Sequence, residues 1–533
     1  MNRSHPWFEG AVVYQIYPRS FYDSNGDGIG DLRGIIQKLD YLNSKPESLG
    51  INAIWISPFY KSPMADFGYD ISDYRDVDPI FGSLDDFKRL VQEAHRRDIR
   101  VIIDFVPCHT SNEHPWFLES KSSKSSPRRD WYVWKDGSST HSAPNNWLSV
   151  FGGSAWEFDQ NTNQYYLHSF LAEQPDLNWD NPEVRAAIKN EIRFWLDLDI
   201  DGLRMDAVDR MSKDPKYRDD SINPKYNQTE DDPYIALVHS RSYNGPNLAK
   251  YLRELAELVE TYKDRFMVIE AYPTKRFDIH PYIKLYRDIN SSVCAPFNFE
   301  GIFLPWKATE YKSFIDSFQN SLREDDVPIY NFGNHDKSRI ATRVGQDKAR
   351  VIAMLQLTLP GMPIMYYGDE LGMEDVNIPK EFIQDPVEKH IPGKNLGRDP
   401  ERTPMQWSGD KNSGFSTSNP WLPVSDDFLT RNVIVQSLAN RSTLSLYRQL
   451  LTIRNGSDAL KYGKYKPVNI DSNVFGFIRE HEGKEIMILA NFLDQEIPLS
   501  IGINSENIIC STYLDGKGST SRMRKNEALI INC

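Results

Sequence analysis

Positive charge, cysteine and long apolar runs are what this chain is short of. Its 533 residues carry 62 Lys and Arg against 75 Asp and Glu, a formal net charge of −13. That balance argues against nucleic acid or an anionic membrane surface as the main partner. The four cysteines, Cys108, Cys294, Cys510 and Cys533, stand apart with neither metal-like nor disulfide-framework spacing. No run is long enough to span a bilayer. The first residues, MNRSHPWFEGAVVYQIYP, contain no apolar stretch of the signal-peptide kind. A reduced, cytoplasmic protein with no membrane partner is the expectation. Aromatics, by contrast, are plentiful: 12 Trp and 27 Tyr suit flat, weakly polar ligands such as sugars, though many of them serve the core. The length allows a sizeable core and more than one domain.

Short β-rich runs alternate with helical spacing along most of the chain. Strands are predicted at 12–18, 53–59, 101–107, 202–207, 266–272, 293–299, 327–332 and 363–367. Helices are predicted at 32–42, 84–97, 182–198, 248–262, 310–322 and 348–359. Strand and helix in this alternation build βα units around a parallel sheet, and eight strands make a closed (β/α)8 TIM barrel. Two stretches interrupt it. Residues 108–178, rich in Ser, Asn, Gly and Trp, are too structured for a loop and read as an inserted subdomain after strand three. Residues 371–427 form a second long insertion, after strand eight. From 462 the texture changes to short alternating strands with turns. The expected domains are therefore a barrel of 1–107 and 179–461, an inserted subdomain of 108–178, and a C-terminal antiparallel β-sandwich of 462–533.

The loop after the first strand, residues 23–31 (DSNGDGIGD), sets oxygen-bearing side chains on alternate positions with glycines between. It resembles the first half of an EF-hand loop, but Gly34 stands where the closing Glu belongs, so Asp31 is expected to close the shell. The expected metal residues are Asp23, Asn25, Asp27, Ile29 and Asp31, holding a structural Ca²⁺ or, in its place, Mg²⁺.

In a TIM barrel the site lies at the C-terminal ends of the strands. The polar residues there are Asp66, Tyr69, Asp104, His109, Arg204, Asp206, Glu270, His335 and Asp336. Arg204 and Asp206 alternate on one strand and so point to the same side; unpaired, such charges would cost several kcal/mol on burial. Three carboxyls from strands four, five and seven converge, with no cysteine–histidine pair and no redox-cofactor motif, which points to glycosyl transfer. Arg204 is expected to hold Asp206 ionised as nucleophile, and an apolar strand with nearby like charges to raise Glu270 into a proton donor.

The segments 104–109 (DFVPCH), 202–206 (GLRMD), Glu270 and 334–336 (NHD) resemble the conserved regions of the α-amylase superfamily of glycoside hydrolases. The resemblance covers nearly the whole chain. Segments 23–31, 174–179 (QPDLNW) and 402–407 (RTPMQW) narrow it to the oligo-1,6-glucosidase and α-glucosidase branch. It implies Asp206 as nucleophile, Glu270 as acid/base and Asp336 as transition-state stabiliser. It further implies a pocket for a terminal glucose lined by Asp66, Tyr69, His109, Arg204, His335 and Arg402, with Phe151 and Phe170 at its mouth. No organic cofactor is expected, and the state is expected to be a monomer or a weak homo-oligomer.

The implied substrate is a disaccharide or short oligosaccharide, cut one glucose at a time from the non-reducing end with retention. In this branch valine directly after the nucleophile goes with α-1,6 substrates, and smaller or polar residues go with α-1,4. Ala207 therefore points to maltose and maltooligosaccharides, by a margin of about 1–3 kcal/mol. The alternatives are an oligo-1,6-glucosidase, or a sucrose or maltose isomerase or transglycosylase built on the same carboxylates. Non-catalytic relatives, such as the heavy subunits of amino-acid transporters, are membrane-anchored and have lost these carboxyls. Two positions depart from the pattern: Cys108 stands where asparagine is usual, making an amylase-type calcium site beside it doubtful, and Phe67 replaces the asparagine between Asp66 and Gly68.

Overall fold

A computed structural model describes residues 5–138, 142–273, 275–499, 501–516 and 521–533. Eight strands form one parallel sheet: β1 (Val13–Ile16), β2 (Ala53–Ile56), β3 (Arg100–Phe105), β4 (Gly202–Met205), β5 (Phe266–Ile269), β6 (Cys294–Asn298), β7 (Ile329–Tyr330) and β8 (Ile364–Tyr366). They pair in chain order, with β8 returning to β1. The N–H of Met362 donates to the carbonyl of Pro328 at 3.1 Å. That bond ties the entries to β7 and β8 and closes the barrel. The strands read as continuous apolar runs because helices cover the outer face and side chains fill the inner one.

Eight helices alternate with them: α1 (Leu32–Leu42), α2 (Leu84–His95), α3 (Pro182–Leu196), α4 (Leu248–Glu260), α5 (His280–Ile289), α6 (Ala308–Ser321), α7 (Gln346–Thr358) and α8 (Thr443–Asn455). Local chemistry fixes their ends. Asp31 caps α1 by accepting from the N–H of Gly34, and Ser83 and Asp86 form a capping box on α2. The α1 face Leu32, Ile35, Leu39 and Leu42 is buried, at the spacing of one helix side. Helices α5 and α8 are missing from the pattern read off the sequence. Helix α5 packs through Tyr282, Tyr286 and Ile289, two of which carry polar tips and so blur the apolar signal.

The segment between β3 and α3 carries a three-stranded antiparallel sheet with Gln164–Leu167 in the middle, flanked by Trp134–Lys135 and Trp156–Asp159. Val133, Trp147, Ala155, Trp156 and Leu167 give it a small core of its own. At the C-terminus, β9 (Lys464–Val468), β10 (Val474–His481), β11 (Lys484–Asn491), β12 (Ile508–Ser511) and β13 (Ala528–Asn532) form an antiparallel sheet in the order β9-β10-β11-β13-β12. Phe492 stacks on Trp306 at 4.3 Å and seats that sheet against the barrel. Among the described residues no helix is long and apolar enough to cross a membrane.

Candidate active site

Strand β4 is buried along its whole length, and the parallel register sets Arg204 directly opposite Asp104 of β3. A guanidinium in that position must find carboxylates, and it finds three. Nη1 of Arg204 donates to Asp104 Oδ1 at 2.8 Å and to Asp206 Oδ1 at 2.7 Å. Nη2 donates to Glu270 Oε2. One fork thus bridges the carboxyls that end β4 and β5, leaving Asp206 Oδ2 and Glu270 Oε1 unbonded among the described residues. Straight after Asp206 the chain turns sharply: Ala207 is left-handed at φ 41°, ψ 41°.

Asp336, beyond β7, faces this pair from a second cationic cluster. Its Oδ1 accepts from Arg402 Nη2 at 2.8 Å, and Arg398 Nη1 lies 3.7 Å away. Arg402 also donates to the carbonyl of His335 at 2.7 Å. His335 stacks parallel to Tyr69 with ring centres 5.7 Å apart and meets its hydroxyl at 2.7 Å. The Tyr69 hydroxyl in turn reaches Asp104 Oδ2 at 3.2 Å. Asp66 accepts from Gln174 Nε2 at 3.2 Å and from Arg398 Nη2 at 2.7 Å. Gln174 also touches His109 Nε2 at 3.0 Å. Phe170 lies 5.3 Å from the His109 ring and 5.5 Å from Phe151, whose ring sits 4.8 Å from the Arg398 guanidinium. All eleven catalytic and substrate residues picked from the sequence therefore belong to one connected cluster.

Two departures from the sequence pattern have defined surroundings. Cys108 is buried with its sulfur 3.0 Å from His109 Nδ1. Phe67 takes a left-handed backbone, φ 52°, and packs between Trp421 and the guanidiniums of Arg19 and Arg402.

Sequence reasoning missed Arg398. It sits in the long loop after β8, where no periodicity marks it, and it binds Asp66 and the fully buried Asp385. The one sequence signal was its place four residues ahead of Arg402. Replacing Arg398 by alanine strands two buried carboxylates, so the variant is expected to lose about 3–5 kcal/mol of stability and to bind substrate more weakly. Urea unfolding reads the first effect and KM the second; a loss under about 1 kcal/mol would show that Asp66 and Asp385 find other partners.

Burial governs the site's protons. It pushes Glu270 up to about 7, with Arg204 pulling down and Asp336, Asp209 and Asp104 pushing up. Burial, reinforced by Glu270, Asp104 and Asp336, also carries Asp206 well above the usual carboxylate range in spite of Arg204. The expectation that Arg204 alone keeps Asp206 low is thus corrected: one guanidinium shared by three carboxylates does not outweigh burial. Asp206 and Glu270, joined through that guanidinium, influence each other's titration. Asp336 differs. Burial would raise it, but the guanidiniums of Arg402, Arg398 and Arg204 hold it below the ordinary range. Burial keeps His109 (down to about 4) and His335 neutral.

A model of the α-amylase catalytic domain matches residues 15–463. The chain belongs to the α-amylase family. It is 37 % identical to the oligo-1,6-glucosidase of Heyndrickxia coagulans, over 98 % of this chain and 99 % of the relative. It is 39 % identical to a probable α-glucosidase of Rhizobium meliloti (strain 1021), over 92 % and 91 %. Among solved structures, the α-glucosyl transfer enzyme XgtA superposes with a TM-score of 0.91 at 36 % identity, covering 99 % of this chain and all of that one. Membership of the α-amylase family, with glucosidase relatives along nearly the full length, makes the protein a glycoside hydrolase acting on carbohydrate.

The 23–31 loop is a chain of Asx turns. Asp23 Oδ1 accepts from the N–H groups of Asn25 and Gly26, and Asp23 Oδ2 from Gly28 and the Ser416 hydroxyl. Asp31 accepts from Ser24 and caps α1. No three acidic, histidine or cysteine side chains converge on a metal position among the described residues. Yet three carboxylates share one short loop, and none has an ion-pair partner among those residues. An all-oxygen donor set without a cation of its own suits a hard divalent ion.

Proposed function

We propose that this protein is a retaining, exo-acting α-glucosidase that releases glucose from the non-reducing end of short α-glucosides and prefers α-1,4 linkages. The arrangement that carries this reading is the single Arg204 fork spanning Asp206 and Glu270, with Asp336 facing them. In the first step Asp206 Oδ2 attacks the anomeric carbon, and the C1–O bond to the leaving sugar breaks. The electron pair stays on that oxygen, which takes the proton from Glu270. Asp336, held ionised by its arginines, stabilises the positive charge that builds on the sugar ring. In the second step Glu270 accepts a proton from water, the water oxygen bonds to C1, and Asp206 leaves as carboxylate. Asp66, Tyr69, His109, His335 and Arg402 grip the terminal glucose, with Phe151 and Phe170 at the mouth.

The α-1,4 preference rests on Ala207, since relatives named for α-1,6 and for general α-glucosidase activity lie at similar identity. Ala207→Val is expected to move the ratio of kcat/KM for maltose over isomaltose about 10-fold or more toward isomaltose. A branched side chain in a left-handed backbone adds strain, so thermal stability is read alongside. An unchanged ratio discards the linkage argument and leaves the chemistry standing. A second reading, transfer of the glucosyl group to a sugar in place of water, is supported by the likeness to the glucosyl transfer enzyme. Product analysis on maltose, isomaltose, sucrose and trehalose separates the two: free glucose supports hydrolysis, new disaccharides support transfer or isomerisation.

The 23–31 loop is proposed to hold Ca²⁺ through Asp23, Asn25, Asp27, Ile29 and Asp31, pinning the exit of β1. At 100 times its Kd the ion would add about 2.7 kcal/mol, so chelation is expected to lower Tm by a few degrees and Ca²⁺ to restore it. The same Tm with and without chelator on metal-free protein would rule the site out.

A further inference from the structure

Strands β4 and β8 stand opposite each other in the closed barrel, with three strands between them on either side. Loops that leave the C-terminal ends of opposite strands meet by crossing that end of the barrel, where the site lies. These two do meet. After β4 the chain runs through 206–247 before α4, carrying a hairpin in which Ser221–Ile222 pairs with Leu237–Val238. After β8 it runs through 367–442 before α8. Lys394, in the second segment, reaches the tip of that hairpin. Its Nζ donates to the carbonyls of Gln228 at 3.0 Å and Thr229 at 2.6 Å.

Both ends of this bridge are anchored in the site beneath it. Asp206 is the first residue after β4, and the N–H of Val208 donates to the carbonyl of Glu270 at 3.0 Å. The segment therefore leaves beside the acid that serves the departing sugar. Arg210 Nη1 ties it to the hydroxyl of Tyr234 at 2.8 Å, just ahead of the second hairpin strand. On the other side Arg398, four residues beyond Lys394, holds Asp66 at 2.7 Å, and Ile391 shares an apolar cluster with Phe151. The inserted subdomain completes the ring: the side chains of Asn145, Asn146 and Trp147 donate to the carbonyls of Tyr217, Asp220 and Arg218 at 2.9, 2.8 and 2.9 Å. Three loop excursions thus bound the entrance, and the Lys394 bridge spans it between two of them. Gln228 and Thr229 are exposed, so the bridge opens to water without disturbing the core. A charged donor on two carbonyls in that setting biases the closed form about tenfold.

We propose that Lys394 limits the length of the sugar chain this site accepts, by closing the entrance over the departing end of a bound di- or trisaccharide; the inference rests on the α-glucosidase reading above. A short substrate lies beneath the bridge and leaves it made. A longer one keeps it broken for as long as it is bound, and its kcat/KM carries that cost. The test compares the full-length wild type with Lys394→Ala on maltose, maltotriose and maltohexaose and on the isomalto series of the same lengths. α-Glucosyl fluoride, whose leaving group has no sugar to reach the bridge, is the control. Wild-type kcat/KM is expected to fall with length in whichever series is turned over. Lys394→Ala is expected to raise the ratio of hexasaccharide over disaccharide about tenfold, chiefly through KM, with fluoride turnover and melting temperature unchanged. Lys394→Arg, which keeps the cation and its donors, is expected to restore the wild-type profile. A ratio unchanged in Lys394→Ala overturns the proposal, as does an equal loss on every substrate, fluoride included, which would make the bridge structural alone. No turnover of any of these substrates by the wild type would overturn the α-glucosidase reading and this inference with it, a result that failure of the bridge does not give.

Discussion

Asp206→Asn is expected to lower kcat on maltose by about 10⁴-fold or more while leaving the fold intact. The amide keeps the shape of the carboxylate, and Arg204 retains Asp104 and Glu270 as partners. What is lost is the oxygen that bonds to C1, so no glucosyl-enzyme forms. Azide supplied to the variant at high concentration enters from the vacated side, bonds to C1 and displaces the leaving group, giving β-glucosyl azide from an α-glucoside with a good leaving group. Rescue with that inverted product assigns the nucleophile. A variant retaining a tenth of wild-type activity would move the nucleophile elsewhere, with Asp104 and Asp336 the nearest carboxylates.

Glu270→Gln is expected to cost about 10²–10⁴-fold in kcat/KM on maltose and far less on 4-nitrophenyl α-glucoside, whose leaving oxygen needs no proton. The pH profile carries the same signature. Glu270, raised to about 7 by burial, is the protonated acid below that value, so kcat/KM on maltose should fall as the pH rises through about 7. The variant should lose this basic limb while keeping a weak, pH-flat rate on the activated substrate. Equal losses on both substrates would show that Glu270 organises the site without donating the proton.

How much of this the sequence disclosed follows from where each residue sits. Asp104, Arg204, Asp206 and Glu270 lie on or end short apolar strands, where a charge stands out against its neighbours and the period of two fixes which side it faces. The fold could be read for the same reason, since eight strand runs alternate with helical spacing. Helix α5 escaped because two of its core-facing residues are Tyr282 and Tyr286. Arg398 escaped because its partners Asp66 and Asp385 are 332 and 13 residues away, and only folding brings them together. The proton balance was misjudged for a third reason: the sequence shows Arg204 beside Asp206 but not that Asp104 and Glu270 claim the same guanidinium. Burial was the missing quantity.

The central claim is that Asp206 and Glu270 cleave an α-glucosidic bond by double displacement. Proton NMR of maltose hydrolysis in its first minutes tests it most directly, because the anomer set free at C1 is seen before mutarotation scrambles it. The account predicts α-glucose as the first new anomer from the non-reducing unit. β-Glucose appearing first would mean inversion, with water and not Asp206 attacking C1, and would contradict the mechanism drawn from the Arg204 bridge.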